Sequence, residues 1–128
     1  MHYAHAGASL LGFMDRLFYS DGRAGRPSSF AFKPAAAIVS ARRAGTTASF
    51  EDINKFFTIS QMPIVSSRYW NMVHGTCAEE VEQDVEGLRT MRILARNMAW
   101  MLRCIEAGRA TGALPPQTET GPMTNFVR

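Results

Sequence analysis

A pair of short apolar runs on either side of one helical segment constrains the fold most. The runs are PAAAIVS, residues 34–40, and PIVSS, residues 63–67. Neither alternates between apolar and polar residues, which is typical of strands buried on both faces in parallel sheets. Between them, Ser49 and Asp52 have the spacing of a capping box, and phenylalanines follow on one side of a helix. The pattern predicts a strand–helix–strand unit with parallel strands and a layered α/β fold.

Two more helices are predicted from apolar residues that recur every three or four positions. One covers residues 9–20, and a loop rich in Gly, Pro and Ser follows it. The other covers residues 78–108, where the apolar stripe is sustained over the whole segment. Acidic residues crowd its start and arginines its later turns, which complements the helix dipole. We expect this stripe, which is rich in methionine, to be core or a helical interface between subunits.

Size and composition bound the class of protein. The chain has 128 residues, of which 46% are hydrophobic and 20% charged, as expected of one globular domain. The N-terminus has no cationic segment or long apolar run, and no stretch approaches the roughly 20 apolar residues that span a bilayer. Cys77 and Cys104 match no metal-binding spacing and suggest no secreted framework. These observations predict a cytoplasmic protein with no membrane segment.

Polar segments follow the two predicted strands, at the ends where ligands bind in open α/β sheets. The first is SARRAGTT, in which Arg42 and Arg43 stand beside Gly45. These arginines are either a solvated pair or an anion contact. The second is SSRYWNMVHG, in which Tyr69 and Trp70 either pack on the last helix or contact a planar ligand.

Other charged residues favour structural explanations. His74 stands alone, and a lone histidine is more often structural than catalytic. The last helix carries four regularly spaced arginines: Arg89, Arg92, Arg96 and Arg103. They are typical of a solvated helix face, and the net charge of +3 does not argue for nucleic acid by itself. A nucleic-acid binder is therefore only the weaker alternative.

Four segments of the chain are specific as an ordered set. They are FMDRLFYS, KPAAAIVSARRAGTTAS, INKFFTISQMPIVSSRYWNMVHG and EGLRTMRILARNMAWMLRCIEAG. Together they resemble the NADPH-dependent FMN reductase family of flavodoxin-like proteins, and within it the iron-sulfur flavoprotein type. On this resemblance, residues 1–112 are a partial domain of the family and residues 113–128 are an extended C-terminal tail.

The resemblance implies a flavodoxin-like α/β fold, a three-layer parallel sheet truncated at the N-terminus. The family's first two strands and most of its third would be absent, so that Met1 falls at the end of the third strand. The Gly- and Ser-rich loop that holds the FMN phosphate, and the cysteines of the iron-sulfur cluster, would be absent with them. Without the central first strand we expect an open apolar edge and an exposed patch larger than a few hundred Å².

The resemblance also implies an oxidoreductase that takes a hydride from NAD(P)H onto bound FMN and passes electrons to an acceptor, without an iron-sulfur cluster or a catalytic acid or base in this segment. It implies FMN contacts in three loops: Tyr3, Ala4, His5, Ala6, Ala41, Arg42, Arg43, Gly45, Tyr69 and Trp70. Without the phosphate loop, we expect weak or no FMN binding by the chain alone. The alternative is a non-catalytic remnant or interaction module, either a homo-oligomer or a partner of an intact relative or a separate N-terminal half.

Overall fold

The computed structural model describes residues 3–24, 26–117, 119, 121–122 and 124–126. The expectation that Met1 ends a strand lies outside these residues. Helices and strands follow one another along the described chain in this order: α1 (Ala8–Gly22), β1 (Val39–Ala41), α2 (Thr46–Ile59), β2 (Met72–His74), α3 (Ala78–Gln83) and α4 (Val85–Ala110). Within the described ranges, no helix has the length and apolar character needed to cross a membrane.

The two strands form the parallel pair that the sequence predicts. Val39 lies opposite Met72, and α2 connects the strands. Earlier in both segments, Ala35 forms a separate parallel bridge with Ile64. The prediction of two parallel strands joined by a helix is confirmed. The prediction that residues 63–67 are the second strand is wrong, because that segment contributes only the bridge at Ile64, and β2 lies later in the chain.

The flavodoxin-like three-layer parallel sheet is wrong as a description of this structure. The described residues form a sheet of two strands, each three residues long, and most of the regular structure is helical. A three-layer fold needs a wide sheet with helices packed on both faces. Here α2 packs on β1 and α4 packs on β2. The observed fold is a mainly helical α/β arrangement around one short parallel pair.

The helices α2 and α4 lie on opposite faces of this sheet. Thr46, the first residue of α2, donates a hydrogen bond from its Oγ1 to the Met72 Sδ at 3.2 Å. On α4, Gly87 lies so close to β2 that a Cβ at this position would be 3.0 Å from a methyl group of Val73. Because Met72 and Val73 are consecutive residues of one strand, their side chains point to opposite faces.

The chain covers β1 on only one of these faces. The residues whose side chains share the α2 face are buried: Ala37, Val39 and Ala41. Ile38 and Ser40 point to the α4 face and are exposed, Ile38 to 57%. The reason is that α4 lies above β2 rather than above β1. A large aliphatic side chain is therefore left open on this half of the sheet.

The α2 face has a second layer, because α1 packs on α2. The ring of Phe18 in α1 lies 4.6 Å from that of Phe30, 5.6 Å from that of Phe56 and 6.4 Å from that of Phe57, measured between centroids. Tilted ring pairs at such distances stabilise a core beyond the area they bury. The helix predicted at residues 9–20 is confirmed as α1, and the phenylalanine side of α2 faces it.

Two predicted helix boundaries are wrong. The helix α2 begins at Thr46, and Ser49, the predicted cap, is buried within it. The single helix predicted at residues 78–108 is divided at Asp84 into α3 and α4. The backbone of Asp84 is not helical, with φ −74° and ψ 76°, and its side chain caps α4 by accepting a hydrogen bond from the Gly87 N–H at 2.9 Å.

Among the described residues of the predicted α4 stripe, Leu94 alone is buried. Gly87, Thr90 and Leu94 are buried, whereas Met98 and Ile105 are only partly covered. A helix of 26 residues is about 39 Å long, and three paired residues of a strand span about 10 Å. The expected continuous core stripe is therefore wrong, because the short sheet cannot cover the whole of α4.

Candidate functional site

An open cleft lies at the carboxyl end of β1, between the start of the described chain and the loop that leads into α2. Its volume is about 560 Å³, within the range of about 300–1,000 Å³ that is typical of small-molecule pockets. Seven residues line this arginine cleft: Tyr3, Ala4, Ala41, Arg42, Arg43, Ala44 and Gly45. Two of the three loops that the resemblance implies for FMN therefore meet at one place.

The N-terminus of α2 forms one side of the arginine cleft. Gly45 is the N-cap residue and has φ 89°, a left-handed conformation that glycine adopts without strain. No side chain caps this helix, and the Thr46 hydroxyl is buried against Met72. The N–H groups of the first turn therefore have no side-chain acceptor. Such groups and the helix dipole both favour a bound anion.

Two arginines add positive charge to the same side. Arg42 and Arg43 are exposed, and neither forms a salt bridge with any described residue. The pKa of Glu80 lies below its ordinary value, chiefly because its carboxylate accepts a hydrogen bond from the Thr76 N–H, and to a smaller extent because of the charge of Arg42. Exposed guanidinium groups at a helix N-terminus suit a phosphate or carboxylate ligand.

The opposite wall of the cleft is tied to α2 by a hydrogen bond. The His5 Nδ1 lies 3.3 Å from the Asp52 Oδ2, and the Lys55 Nζ lies 3.2 Å from the other oxygen. Hydrogen bonds from Lys55 and then from His5 lower the pKa of Asp52. Ala6 is buried, whereas the Tyr3 ring is exposed. His5 and Ala6, which the resemblance implies as FMN contacts, thus anchor the wall and do not line the cleft.

Tyr69 and Trp70 do not line the arginine cleft. They precede β2, between the bridge at Ile64 and the strand, so the prediction that they follow the second strand is wrong. Their rings pack edge to face with centroids 4.9 Å apart, and both remain about half exposed. They form a separate aromatic feature of the surface.

The hydrogen bonds of Asn71 fix the position of the segment that carries Tyr69 and Trp70. Its buried side chain donates from Nδ2 to the Ala37 carbonyl at 3.1 Å and accepts from the Ser67 Oγ at 2.7 Å. A buried amide whose two ends are both satisfied holds its segment in one position. The segment that leaves the sheet is thereby fastened to β1. Sequence analysis missed this role, because the partners are 34 positions apart and nothing local indicates the contact.

The contacts of His74 hold the end of β2 in place and indicate a structural role for this residue. Its N–H donates to the Asp84 Oδ2 at 2.7 Å, and its Nδ1 lies 3.9 Å from the same oxygen. The Gly87 N–H binds the other carboxylate oxygen, so Asp84 joins the end of β2 to the start of α4. These hydrogen bonds, first from Gly87 and then from His74, lower the pKa of Asp84. An aspartate inside a helical stripe was the available signal, since Asp favours N-cap positions.

A smaller cavity of about 300 Å³ lies between α1 and α2. Phe18 and Phe56 form its apolar floor, and Tyr19 and Arg23 stand at its margin with the guanidinium carbon 5.4 Å from the ring centroid. The floor belongs to the aromatic cluster that holds the two helices together. The cavity is open to solvent, because Tyr19 and Ile59, which help to line it, are 64% and 82% exposed.

Comparison of the chain with models of protein families, with curated proteins and with solved structures finds no match. Over the part of the chain that the structure describes, no group of three or more His, Cys, Asp or Glu side chains could hold a metal ion. The arginine cleft and the resemblance of the quoted segments are the two features of the chain that bear on its function.

Proposed function

We propose that the arginine cleft binds FMN and that the chain is a cytoplasmic, FMN-dependent NAD(P)H oxidoreductase of the NADPH-dependent FMN reductase lineage. The observation that carries this proposal is the meeting of Tyr3 and Ala4 with residues 41–45 at one cleft. The resemblance implies FMN contacts in those two loops. Cys77 and Cys104 are free and exposed, which suits a reducing compartment.

The cleft residues fit a phosphate-bearing ligand. Arg42 and Arg43 supply charge-assisted donors, and the first turn of α2 supplies backbone N–H groups. The FMN phosphate is the group that these donors favour, and Tyr3 offers an exposed ring to the flavin. Bound FMN would supply the chemistry, namely hydride acceptance from NAD(P)H and electron transfer to an acceptor.

The chain itself contributes binding and positioning. Arg42 and Arg43 act as hydrogen-bond donors rather than as general bases, because a guanidinium group has no acceptor atom. The contact between His5 and Asp52 holds the wall that carries Tyr3. Because the cleft is open and the ligand remains partly solvated, we expect a dissociation constant on the order of 0.1–1 mM.

A fluorescence titration of FMN with the purified chain tests the proposal. We expect saturable quenching, and at least about 10-fold weaker binding of riboflavin, which lacks the phosphate. The double variant Arg42→Ala/Arg43→Ala should weaken FMN binding by about 10-fold or more. The matched double variant Arg96→Ala/Arg103→Ala removes the same charge from the exposed side of α4 and should leave binding unchanged. No saturation up to about 5 mM FMN, or an equal loss in both variants, would contradict the proposal.

The uncovered half of the sheet favours a second candidate function, an interaction module. Ile38 is exposed on the α4 face, and within the described residues the sheet has no third strand to cover the other edge of β1. Such a module would bind a protein, either a second copy of this chain or a separate chain, that covers Ile38 and the open edge of β1. Failure of the FMN titration together with a stable protein complex would favour this function over the flavin proposal.

A further inference from the structure

A cavity of about 570 Å³ lies where the last two turns of α4 run beside the segment that precedes β1. We call it the end cavity. Both elements give it apolar walls, with Phe32 and Pro34 on one side and Leu102 and Ile105 on the other. Its volume is typical of small-molecule pockets. Among the described residues, none lines both the end cavity and the arginine cleft, so the two are separate places on the molecule.

The α4 wall of the end cavity is a side of the helix that the fold does not use for packing. Four residues with the spacing of one helix face line the cavity: Leu102, Ile105, Glu106 and Arg109. Within the described part of α4, no residue after Leu94 is buried, and Leu102 is 50% exposed. These turns extend past the short sheet, and their apolar side chains are available to a ligand.

The end of α4 beside the cavity is well defined. Gly112 has φ 85°, and its N–H donates to the Arg109 carbonyl at 3.0 Å. The Ala113 N–H donates to the Gly108 carbonyl at 2.9 Å. These two bonds and the left-handed glycine form a Schellman motif, which satisfies carbonyls of the last turn. Arg109 therefore stands on a capped helix end, and the capped carbonyls need no cation from a ligand.

The opposite wall is a strained turn. Phe32 has φ 62°, a conformation that is uncommon for a bulky residue, and its N–H donates to the carbonyl of Gln61 at 3.0 Å. Gln61 has φ 57°, so both partners of this bond are left-handed. The Lys33 N–H donates to the Phe30 carbonyl at 3.1 Å. Backbone strain of this kind is concentrated at ligand sites and switch regions. The strained turn fixes the backbone that carries the Phe32 ring and the Lys33 chain at the cavity.

The charges that line the end cavity favour an anion. Lys33 comes from the turn and Arg109 from α4, so two cations from separate elements meet at one apolar cavity. Glu106 is the one acid among the lining residues. None of these three side chains forms a salt bridge with a described residue. Two unpaired cations beside apolar walls suit a ligand that combines one anionic group with an apolar chain.

We propose that the end cavity binds a single-chain amphiphilic carboxylate, a medium-chain fatty acid. Its carboxylate lies between Lys33 and Arg109, and its chain lies along the apolar walls. The guanidinium group of Arg109 offers paired donors that match a carboxylate, and Lys33 adds a point charge. Burial of successive methylene groups supplies affinity, and the two cations supply selectivity for an anion. The site does not depend on the flavin proposal.

Isothermal titration calorimetry with decanoate tests the proposed ligand class. We expect saturable binding with a dissociation constant on the order of 0.1 mM. Octanoate should bind about 3- to 10-fold more weakly, because it buries two fewer methylene groups. Decan-1-ol and decyltrimethylammonium lack the negative charge and should bind at least about 10-fold more weakly than decanoate. Equal binding of decanoate and decan-1-ol, or no saturation up to about 5 mM decanoate, would overturn the proposal.

Three variants of the chain test the site itself. Lys33→Gln/Arg109→Gln should raise the dissociation constant for decanoate by at least about 10-fold. Arg96→Gln/Arg103→Gln removes the same charge from the exposed side of α4 and should change it by less than about 2-fold. Glu106→Gln removes the lining acid and should lower the constant by about 2- to 3-fold. Equal losses in the two double variants, or weaker binding by Glu106→Gln, would overturn the proposal. Circular dichroism checks that the helices are retained.

Two further arms exclude other sources of the same signal. Arg42→Ala/Arg43→Ala should leave decanoate binding unchanged, and its loss in that variant would place the carboxylate in the arginine cleft and overturn the proposal. Vesicles of phosphatidylglycerol present anionic groups on a lipid surface. We expect no retention of the chain on these vesicles. Binding to the vesicles without binding to free decanoate would assign the cations to a membrane surface and likewise overturn the proposal.

Discussion

The two faces of the short sheet differ in how completely they are covered. On one face, α2 lies on β1 and α1 lies on α2, so Ala37 and Val39 are buried beneath two helices. On the other face, α4 lies on β2, and Ile38, in the segment that leads into β1, is exposed. The segment of residues 37–41 is therefore covered by helices on one face and exposed to solvent on the other.

The difference lies in where each helix is placed. A helix about 10 Å wide can cover about two strands that lie about 4.8 Å apart. The helix α4 lies on β2, however, and leaves the side chain of Ile38 exposed. Full burial of a large aliphatic side chain contributes about 1.5–3 kcal/mol. Leaving Ile38 and Leu102 half open thus forgoes a few kcal/mol, on the order of a substantial part of a small domain's stability.

The largest expected difference is between two leucines of α4. Leu94 is buried against β2, and Leu94→Ala should lower the free energy of unfolding by about 2–5 kcal/mol through lost burial and a cavity. Leu102→Ala changes the same residue type on the open side. At concentrations where the chain is a monomer it should cost less than about 1 kcal/mol. Urea unfolding measures both, and equal losses would mean that the two sides are covered alike.

A second comparison concerns two asparagines that fasten the segment before β2. Asn71→Ala should cost about 1–3 kcal/mol, because it leaves the buried Ala37 carbonyl without its side-chain donor. Asn97→Ala removes a bond of 2.8 Å to the Ser66 carbonyl at an exposed place, where water replaces the donor, so less than about 1 kcal/mol is expected. A larger loss for Asn97 than for Asn71 would contradict the account of how Tyr69 and Trp70 are placed.

A pH effect is expected on the covered side. Asp21 at the end of α1 accepts hydrogen bonds from the Ser28 Oγ and the Ser29 N–H and pairs with Arg26. These contacts, Ser28 foremost, lower the pKa of Asp21 to about 2. Because the folded pKa is lowered, this stabilisation is present above about pH 4 and is lost as the pH falls toward about 2.

Thermal unfolding between about pH 2 and 6 measures this dependence. Asp21→Asn should make the unfolding temperature less dependent on pH in that window. Asp15→Asn, an exposed acid of the same helix with no salt bridge among the described residues, should leave the dependence unchanged. An unchanged slope for Asp21→Asn would show that the contacts of this carboxylate do not stabilise the fold.

The smallest expected effect on stability comes from the wall of the arginine cleft. Asp52→Asn weakens the contact with His5 and should cost less than about 1 kcal/mol, because exposed ion pairs contribute little. The wall should nevertheless loosen, with faster amide exchange at residues 4–6 and about 2- to 5-fold weaker FMN binding. Glu51→Gln is the matched control, and Asp52→Glu should restore both readouts in part. Faster amide exchange at residues 4–6 without weaker FMN binding would contradict the claim that this wall contributes to the FMN site.

The sequence predicted those helices and strands that are determined by the apolar pattern of their own segment. The spacing of Met14 and Phe18 predicts α1, and the apolar run at residues 34–40 predicts a strand where β1 lies. The run at residues 63–67 is not β2, which lies later in the chain. Tyr3 and Ala4 lie beside residues 41–45 at the end of β1, and their role as FMN contacts stays a prediction. These features depend on periodicity and on the general geometry of strand–helix–strand units.

Features set by distant contacts were not predictable. The break at Asp84 depends on its bond to His74, and the position of Trp70 depends on the bond between Asn71 and Ala37. The stripe of α4 reads as continuous core, yet the width of the sheet decides how much of it is covered. A sequence pattern shows which side of a helix is apolar, but not whether another element lies there.

Hydrogen–deuterium exchange of the chain with and without FMN tests the central claim most directly, because it locates the ligand. The account predicts slower exchange at residues 41–48 and 4–6 in the presence of FMN, and no change at residues 66–71. Protection at residues 66–71 without protection at residues 41–48 would contradict it and place the ligand at Tyr69 and Trp70. No protection at any residue, at an FMN concentration of about 5 mM, would contradict the assignment of the cleft as a flavin site.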